Sequence, residues 1–399
     1  MKILVVTAYF SPDIGGVENY VLNIAKGLSN SGKHDVLVVT TNKSSRQHVE
    51  ELVEGLRVIR LPSLFKLSNT PINPFWYFKL RKIIKEEKPD VINAHSPVPF
   101  MADMAFAARG NTKFVLTYHA GTLKKNSIPI NIILGLYEKT ILKHILNNSD
   151  AIISVYPEYL RALLNNNVPI NFIPPGVDIS AFKPRKRISN NRPIILFVGR
   201  IERGSEMKGI STLLRAMVLV VKSKPNSILK LVGGGDAIID YKRQILELGL
   251  EDNVIFTGII RDKQLSDTYT EADMLVLPSE ANSEAFGIVL IEAMASGIPV
   301  IGSDTGGITN IIDSGNNGFL VTPGDPIVLS NAILSLMNDK EKAAQFGVHG
   351  RRKAMTTYSS QILVKKTNKL FIEIYLASNP KVHVPGKDKK TSIGHNDIK

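Results

Sequence analysis

Short runs of β-branched and apolar residues alternate with helical stretches along most of the chain, and this alternation occurs in two series. The first series of predicted strands covers 2–7, 35–40, 57–61, 90–95, 113–119, 151–155 and 170–174. The second series covers 194–199, 227–233, 253–258, 274–279, 298–303 and 318–321. Continuous apolar strands of this kind are typical of parallel sheets buried on both faces. The sequence therefore predicts an α/β protein with two doubly wound, Rossmann-like domains side by side.

The domain boundaries follow from a change in composition between the two series. The segment "KPRKRISNNRP" is polar, basic and flanked by proline, which is typical of a linker. The predicted organisation is a first domain at 1–183, a linker at 184–192, a second domain at 193–360, a C-terminal helix at 361–378 that can cross back to the first domain, and a disordered tail at 379–399.

Composition limits the chemistry and the location that we expect. The chain has no cysteine, which excludes disulfides, thiol catalysis and cysteine-ligated metals. No apolar run reaches the roughly 18–20 residues that span a bilayer, and the N-terminus resembles a first strand more than a signal peptide. We therefore expect a cytoplasmic protein, with association at the inner face of the cell membrane as a further expectation.

The positive charge is concentrated in the first half of the chain. Residues 1–190 contain 24 Lys+Arg and 14 Asp+Glu, which is +10 of the total of +13. This basic first half suggests an anionic partner. Because the sequence has no nucleic-acid-binding motif, we do not expect that partner to be a nucleic acid. Two basic apolar stretches, 73–88 and 122–146, could lie on an anionic bilayer. The alternative is that both are ordinary amphipathic helices facing the sheet.

Two motifs that follow strands could hold an anion. Gly15 and Gly16 lie between the first strand and a helix, where backbone can approach a ligand closely, although the G-x-G-x-x-G fingerprint is missing. Arg200 and Lys208 follow the first strand of the second series and could hold phosphate oxygens. The alternatives are a turn that needs glycine only for its geometry, and two solvated charges in a loop.

A third motif, "SEAFGIVLIEAMASGIPV", places two carboxylates in an apolar segment. Gly287 and the Gly297–Pro299 stop predict a helix at 288–296 that is apolar almost all round and therefore buried. Glu292 lies within this helix and Glu284 in the loop before it. Burying Glu292 without a partner would cost roughly several kcal/mol, whereas the hydroxyls of a sugar or ribose could satisfy it. The alternative is a buried glutamate bonded to backbone or to arginine.

Taken together, these motifs resemble the retaining glycosyltransferases of family 4, which have the GT-B fold. The resemblance implies two Rossmann-like doubly wound domains that face each other across a cleft. The resemblance rests on the glycine pair after the first strand, "VGR…KG", the E-x7-E pattern of "EAFGIVLIE", and "GIPVIGSDTGG", in the order of the family. It covers roughly residues 1–378. One departure is that the stretch between Arg200 and Lys208 is a couple of residues longer than the usual pattern, so that "GSEM" must loop out.

The resemblance implies a role for each motif residue. Glu292 would bind the ribose hydroxyls of a nucleotide-sugar, Glu284 would contact the donor sugar, and Arg200 and Lys208 would hold the diphosphate. The remaining implied positions are Gly15 and Gly16 near the diphosphate, the backbone of Phe286, Gly287, Ile288 and Val289 facing the sugar and diphosphate, Ile260 at the nucleobase, and His119 near the reacting sugar. A lone histidine at a strand end is otherwise more often structural.

The resemblance also implies the reaction. A hexose-type sugar would move from a UDP- or GDP-linked donor to a lipid-linked or glycan acceptor, with retention of anomeric configuration. Because the sequence has no Asp-x-Asp motif, two cations and a helix dipole would stabilise the departing diphosphate, and no metal cofactor is expected. The alternatives are another GT-B activity, such as an epimerase or a disaccharide synthase, and a non-catalytic subunit that binds a sugar nucleotide.

Overall fold

The computed structural model describes residues 1–13, 15–42, 47–67, 70–120, 123, 128–164, 168–184, 192–280 and 284–378. Most of the predicted linker and the whole predicted tail lie outside the described residues. The strands of the first half are β1 Lys2–Val6, β2 Asp35–Asn42, β3 Val49–Val53, β4 Leu56–Pro62, β5 Phe65–Leu67, β6 Thr70–Ile72, β7 Val91–Ser96, β8 Lys113–Tyr118, β9 Ala151–Ser154 and β10 Ile170–Phe172. Those of the second half are β11 Ile194–Val198, β12 Ile228–Val232, β13 Val254–Gly258, β14 Met274–Leu277, β15 Val300–Ser303 and β16 Gly318–Val321.

The helices cover the faces of two separate sheets. Those of the first half are α1 Gly16–Asn30, α2 Trp76–Glu87, α3 Met101–Ala108, α4 Ile128–Tyr137, α5 Lys143–Asn147 and α6 Pro157–Leu163, with a π-helical segment Glu138–Leu142 joining α4 to α5. Those of the second half are α7 Ile210–Ser223, α8 Ile238–Glu247, α9 Asp262–Glu271, α10 Ile288–Ala295, α11 Pro326–Asn338, α12 Lys340–Thr357 and α13 Ser360–Ser378. None of the helices in the described part is long and apolar enough to span a bilayer.

The first sheet has the strand order β10-β9-β8-β7-β1-β2-β4-β3 and is parallel except at its β3 edge. Successive side chains of β1 point to opposite faces, as in any strand. Ile3 and Val5 pack in the cluster that contains the buried side chains of α1, whereas Leu4 and Val6 pack in the cluster under α2 and α3. The sheet is therefore buried on both sides, which explains why its strands read as continuous apolar runs.

The second sheet is wholly parallel and has the order β13-β12-β11-β14-β15-β16. Numbered from its own first strand this is 3-2-1-4-5-6, the order of a doubly wound nucleotide-binding domain. After β11 the chain forms β12 and β13 on one side of that strand, and then crosses back to form β14 on the other side. The crevice beyond the carboxyl ends of these two strands is where such sheets bind ligands.

The predicted fold class is confirmed, and each predicted strand is present with its ends within two residues of those expected. Three short antiparallel strands, β3, β5 and β6, were not predicted. The stretch of β3 is mostly exposed, so it lacks the apolar run by which the other strands could be recognised.

The last helix, α13, packs against the first half of the chain although it follows the second. Its Leu363 and Phe371 lie in the same buried cluster as the α1 side chains. At Gly27 of α1, a Cβ atom would lie 2.3 Å from a methyl group of Val364, so the two helices approach too closely for any larger residue. His34 and Asn368 are joined by a hydrogen bond of 2.7 Å across the same contact.

We expect Phe371→Ala to destabilise the first domain, because it empties a fully buried site shared by α13 and the first sheet. The expected loss is about 3–5 kcal/mol. Trp76, the single tryptophan, lies buried in the first half, so its fluorescence during urea unfolding reports on that domain. The control is Val348→Ala on α12, where the side chain is 66% exposed. A loss under about 1 kcal/mol for Phe371→Ala would show that α13 contributes little to the first domain.

Candidate active site

The carboxyl ends of β11 and β14 bring Lys208 and Glu284 together. Lys208 ends a 3₁₀ turn, Glu206–Lys208, just before α7, and Glu284 precedes α10. The ammonium of Lys208 donates to Glu284 over 2.9 Å, and the two side chains are only 24% and 19% exposed. The ion pair joins two motifs that are 76 residues apart in the sequence. Since an ammonium has three donors, Lys208 can keep Glu284 and still bind a phosphate oxygen.

The longer loop before Lys208 is held by its own hydrogen bonds. The backbone nitrogen of Arg203 donates to Asp236 over 2.8 Å, and that of Gly204 donates to the Glu206 carboxylate over 2.8 Å. The extra residues therefore project outward while Lys208 keeps its place at the start of α7. The role of Lys208 at the diphosphate stays a prediction.

Arg200 lies immediately after β11 but is not drawn into the Lys208–Glu284 pair. Its side chain is 74% exposed and lies 3.8 Å from Glu202. A guanidinium so exposed is free to turn toward a ligand, and its fork of donors suits a diphosphate. Both predicted cations therefore follow the same strand, with Lys208 paired to Glu284 and Arg200 in a longer, exposed pair with Glu202.

The N-terminus of α10 is formed by the predicted glycine. Gly287 has φ of 91°, a left-handed conformation that favours glycine, and a Cβ atom there would lie 3.0 Å from Leu277. Phe286 is buried against Tyr358, so its side chain faces the core and its backbone is the part that remains for a ligand. The first N–H groups of α10, at Ile288 and Val289, lack partners within the helix and can bind an anion.

The two domains meet at this helix end. Gly16 begins α1, and a Cβ atom added to it would lie 3.2 Å from the terminal methyl of Ile288. Gly15, just before it, has extended backbone, so its conformation alone does not require glycine. This close approach is to a side chain of the second domain, and the approach of Gly16 to a ligand stays a prediction.

Glu292 lies one turn into α10 and has a protein partner that sequence reasoning missed. The hydroxyl of Tyr269, at the end of α9, donates to its Oε2 over 2.6 Å. Burial raises the pKa of Glu292 to about 7, and the Tyr269 hydrogen bond opposes this rise. In the described part of the chain Oε1 has no partner, which leaves one carboxylate oxygen for a ligand. Tyr269 carries no distinctive sequence signal, since it occurs in an ordinary helical stretch.

The last two predicted site residues, Ile260 and His119, follow the strands β13 and β8. Ile260 is half-buried and follows β13, at the edge of the second sheet. His119 follows β8 in the first domain, where its backbone nitrogen donates to Ser96 over 2.9 Å. Burial lowers the pKa of His119 to about 3, so the imidazole is neutral at physiological pH.

A second histidine, which sequence reasoning did not single out, lies directly against His119. Nδ1 of His95 is 2.8 Å from Nε2 of His119, and Tyr20 packs edge-on against both rings. The sequence did contain a signal for His95, because it ends the predicted strand 90–95 just as His119 ends the next predicted strand, 113–119. Among the described residues no group of three or more His, Asp or Glu side chains could hold a metal ion.

Two family models match adjacent parts of the chain. The model described as glycosyltransferase family 4 matches residues 14–181, and that described as glycosyl transferases group 1 matches residues 178–353. The chain belongs to the group 1 glycosyltransferases. It is an enzyme that moves a sugar from a nucleotide-sugar donor to a lipid or glycan acceptor.

Named relatives are similar to this glycosyltransferase over nearly their whole length. The GDP-mannose-dependent alpha-(1-6)-phosphatidylinositol monomannoside mannosyltransferase of Mycolicibacterium smegmatis is 25% identical, over 89% of this chain and 94% of the relative. O-antigen chain mannosyltransferase C of Escherichia coli is 27% identical, over 91% of this chain and 96% of the relative.

Solved structures share the fold. The sucrose-phosphate synthase of Thermosynechococcus elongatus has a TM-score of 0.76 at 24% identity, covering 94% of this chain and 99% of its own. Anabaena HepE in complex with UDP has a TM-score of 0.73 at 22% identity, covering 94% of this chain and all of its own (100%). At these identities the likeness is evidence for the two-domain GT-B architecture alone.

The raised pKa of Glu292 predicts a pH-dependent gain in stability for Glu292→Gln. The native group, with its pKa near 7, binds more protons than the unfolded group, with its pKa near 4.5, so the wild-type free energy of unfolding decreases as pH rises through this window. Glutamine lacks this titration. The stability advantage of Glu292→Gln should therefore be about 2 kcal/mol larger at pH 8 than at pH 5.

The measurement is urea unfolding of both proteins, followed by far-ultraviolet circular dichroism at the two pH values. Other titrating groups are shared by the two proteins and cancel in the difference. If the free energies of unfolding of the two proteins differ by the same amount at pH 5 and at pH 8, this would contradict a raised pKa at Glu292.

Proposed function

We propose that this glycosyltransferase moves mannose from GDP-mannose to a lipid or lipid-linked glycan acceptor, with retention of configuration and without a metal cofactor. The observation that carries the proposal is the Lys208–Glu284 pair, which lies beside the N-terminus of α10 at the reversal of strand order in the second sheet. The choice of mannose and of GDP is supported by the two mannosyltransferase relatives, one of which is named for its dependence on GDP-mannose.

The donor is proposed to lie along the carboxyl edge of the second sheet. The ribose hydroxyls donate to the free oxygen of Glu292, and the backbone near Ile260 contacts the base. The diphosphate lies against the backbone N–H groups from Phe286 to Val289, just before and at the start of α10, with Gly15 and Gly16 of the first domain opposite. The sugar extends from there toward Glu284 and His119, which places it at the opening between the two domains.

Departure of the diphosphate is the step that most needs stabilisation, because negative charge accumulates on its oxygens. In this proposal Lys208 and Arg200 neutralise that charge, and the dipole of α10 adds to them. Lys208 and the N-terminus of α10 are in place before the donor arrives, and the exposed Arg200 side chain turns toward the diphosphate when it binds. These groups supply the positive charge for which other glycosyltransferases use a divalent metal.

Glu284 is proposed to bind hydroxyls of the donor sugar. Its carboxylate is already held by Lys208, so an oxygen atom is presented in a fixed direction to the ligand. Retention then arises by attack of the acceptor on the face from which the diphosphate departs, with a diphosphate oxygen taking the acceptor's proton. The new bond joins the acceptor oxygen to the anomeric carbon as the bond from that carbon to the diphosphate breaks.

A lipid acceptor is supported by an apolar surface on the first domain. Ile130, Ile132, Ile133, Leu136 and Ile141 along α4 and the π-helical segment are between 42% and 68% exposed, although large apolar side chains are usually buried. Lys139 and Lys143 lie on the same stretch, while Lys124 and Lys125 fall outside the described residues. Phe75 and Phe78, in the other basic stretch at 73–88, are also exposed. We propose that this surface docks on an anionic membrane at its cytoplasmic face.

Activity without a divalent metal is the first test. Purified enzyme with GDP-mannose and a membrane lipid extract should transfer mannose at its full rate in excess EDTA, because the cations are supplied by the protein. UDP-glucose in the same assay is the control for the base and the sugar. Complete loss of activity in EDTA, restored by magnesium or manganese, would contradict the proposal. Transfer from UDP-glucose but not from GDP-mannose would contradict the choice of donor.

Membrane docking is tested by vesicle flotation. The wild type should float with anionic vesicles at low salt and less so at moderate salt, because the lysine contribution is screened. Ile132→Asp with Ile133→Asp should abolish flotation, since both side chains are 68% exposed on α4. The matched control is Ile239→Asp with Leu246→Asp, on α8 of the second domain, where the side chains are 63% and 64% exposed. Equal flotation with neutral and anionic vesicles, or an equal loss of flotation in the two double variants, would contradict docking through α4. Either result would favour amphipathic helices that only pack against the sheet.

A further inference from the structure

His95 is a buried titratable group to which the donor site described above gives no role. It lies near the end of β7 with 3% of its surface exposed, and His119 follows the neighbouring strand β8. The two rings are almost parallel, with an angle of 12° between their planes, and Nδ1 of His95 lies 2.8 Å from Nε2 of His119. This distance is that of a hydrogen bond, so one of the two nitrogens donates and the other accepts.

Both rings are neutral at physiological pH. Burial lowers the pKa of His119 to about 3, and burial together with the neighbouring His119 lowers the pKa of His95 well below its ordinary value. A neutral imidazole has one N–H and one lone pair. The direction of the shared hydrogen bond therefore fixes the position of the proton on each ring.

The other nitrogen of His95 decides that direction. Its Nε2 is buried and has no hydrogen-bond partner among the described residues. A buried N–H without a partner is rarer in proteins than an acceptor whose lone pair is unused. The proton of His95 is therefore on Nδ1, where it can be donated to Nε2 of His119. Because His119 accepts at Nε2, its own proton is on Nδ1.

We propose that His95 is a positioning residue that holds His119 in the Nδ1–H tautomer, so that His119 offers the cleft a hydrogen-bond donor and not a base. No described residue is hydrogen-bonded to Nδ1 of His119, which leaves this N–H for the substrate. Its partner is a hydroxyl oxygen of the donor sugar, and this assignment rests on the proposed role of His119 beside that sugar. Tyr20, edge-on to both rings, keeps the pair in place and is itself tied to Ile173 by a hydrogen bond of 3.1 Å.

The tautomer can be read directly by two-bond ¹H–¹⁵N correlation spectra of the full chain labelled with ¹⁵N-histidine. His95→Asn and His119→Asn spectra assign the two rings. We expect both to show the Nδ1–H pattern in the absence of any substrate, so the result does not depend on which donor the enzyme uses. An Nε2–H pattern for His119 would overturn the proposal.

Two substitutions at His95 separate positioning from packing. The side-chain amide of His95→Asn can donate from nearly the same place as Nδ1, whereas His95→Phe fills the space and cannot donate. We expect His95→Asn to keep kcat within about threefold, and His95→Phe to lose about tenfold in kcat with little change in KM for the donor. Equal kcat losses in the two variants, or an unchanged His119 tautomer in His95→Phe, would overturn the proposal.

Discussion

The reversal of strand order between β11 and β14 is the constraint on which the site depends. Parallel strands with helices on both faces leave no room for a ligand except beyond their carboxyl ends, and the reversal opens a crevice at that edge. Lys208 reaches the crevice from the β11 side and Glu284 from the β14 side, and their ion pair of 2.9 Å bridges the gap. The first sheet has its own reversal between β1 and β7, where Gly16 begins the helix after β1 and the His95–His119 pair lies at the ends of β7 and β8.

The same constraint places a carboxylate within the apolar helix α10. Glu292 lies among apolar residues, and burial shifts its pKa toward neutrality. Tyr269 supplies one donor through a bond of 2.6 Å, which is insufficient for an ionised carboxylate. In the proposed site the hydroxyls of a ribose would provide the missing donors, and nucleotide binding would then recover the energy lost in folding. A site that is incompletely satisfied without ligand is a common compromise between stability and function.

Much of this account was predictable from the sequence because the relevant signals are local. Apolar runs gave the strands of both sheets, and Gly287 with the Gly297–Pro299 stop gave α10 to within a residue. The exposed β3 and the two-stranded β5–β6 pair lack such runs and were missed. Contacts between residues distant in sequence were also missed. Tyr269, which binds Glu292, lies 23 residues before it, and Lys208 and Glu284 are 76 residues apart. Only tertiary packing brings such pairs together.

The two carboxylates are proposed to have separate tasks, and calorimetry with GDP distinguishes these tasks. Glu292→Gln should weaken GDP binding about tenfold or more, because the ribose loses a charged acceptor. Glu284→Gln should leave GDP affinity within about threefold and lower turnover with GDP-mannose, because its partner is the sugar that GDP lacks. Equal losses of GDP affinity in the two variants would contradict the account, since the carboxylates would then share one structural task.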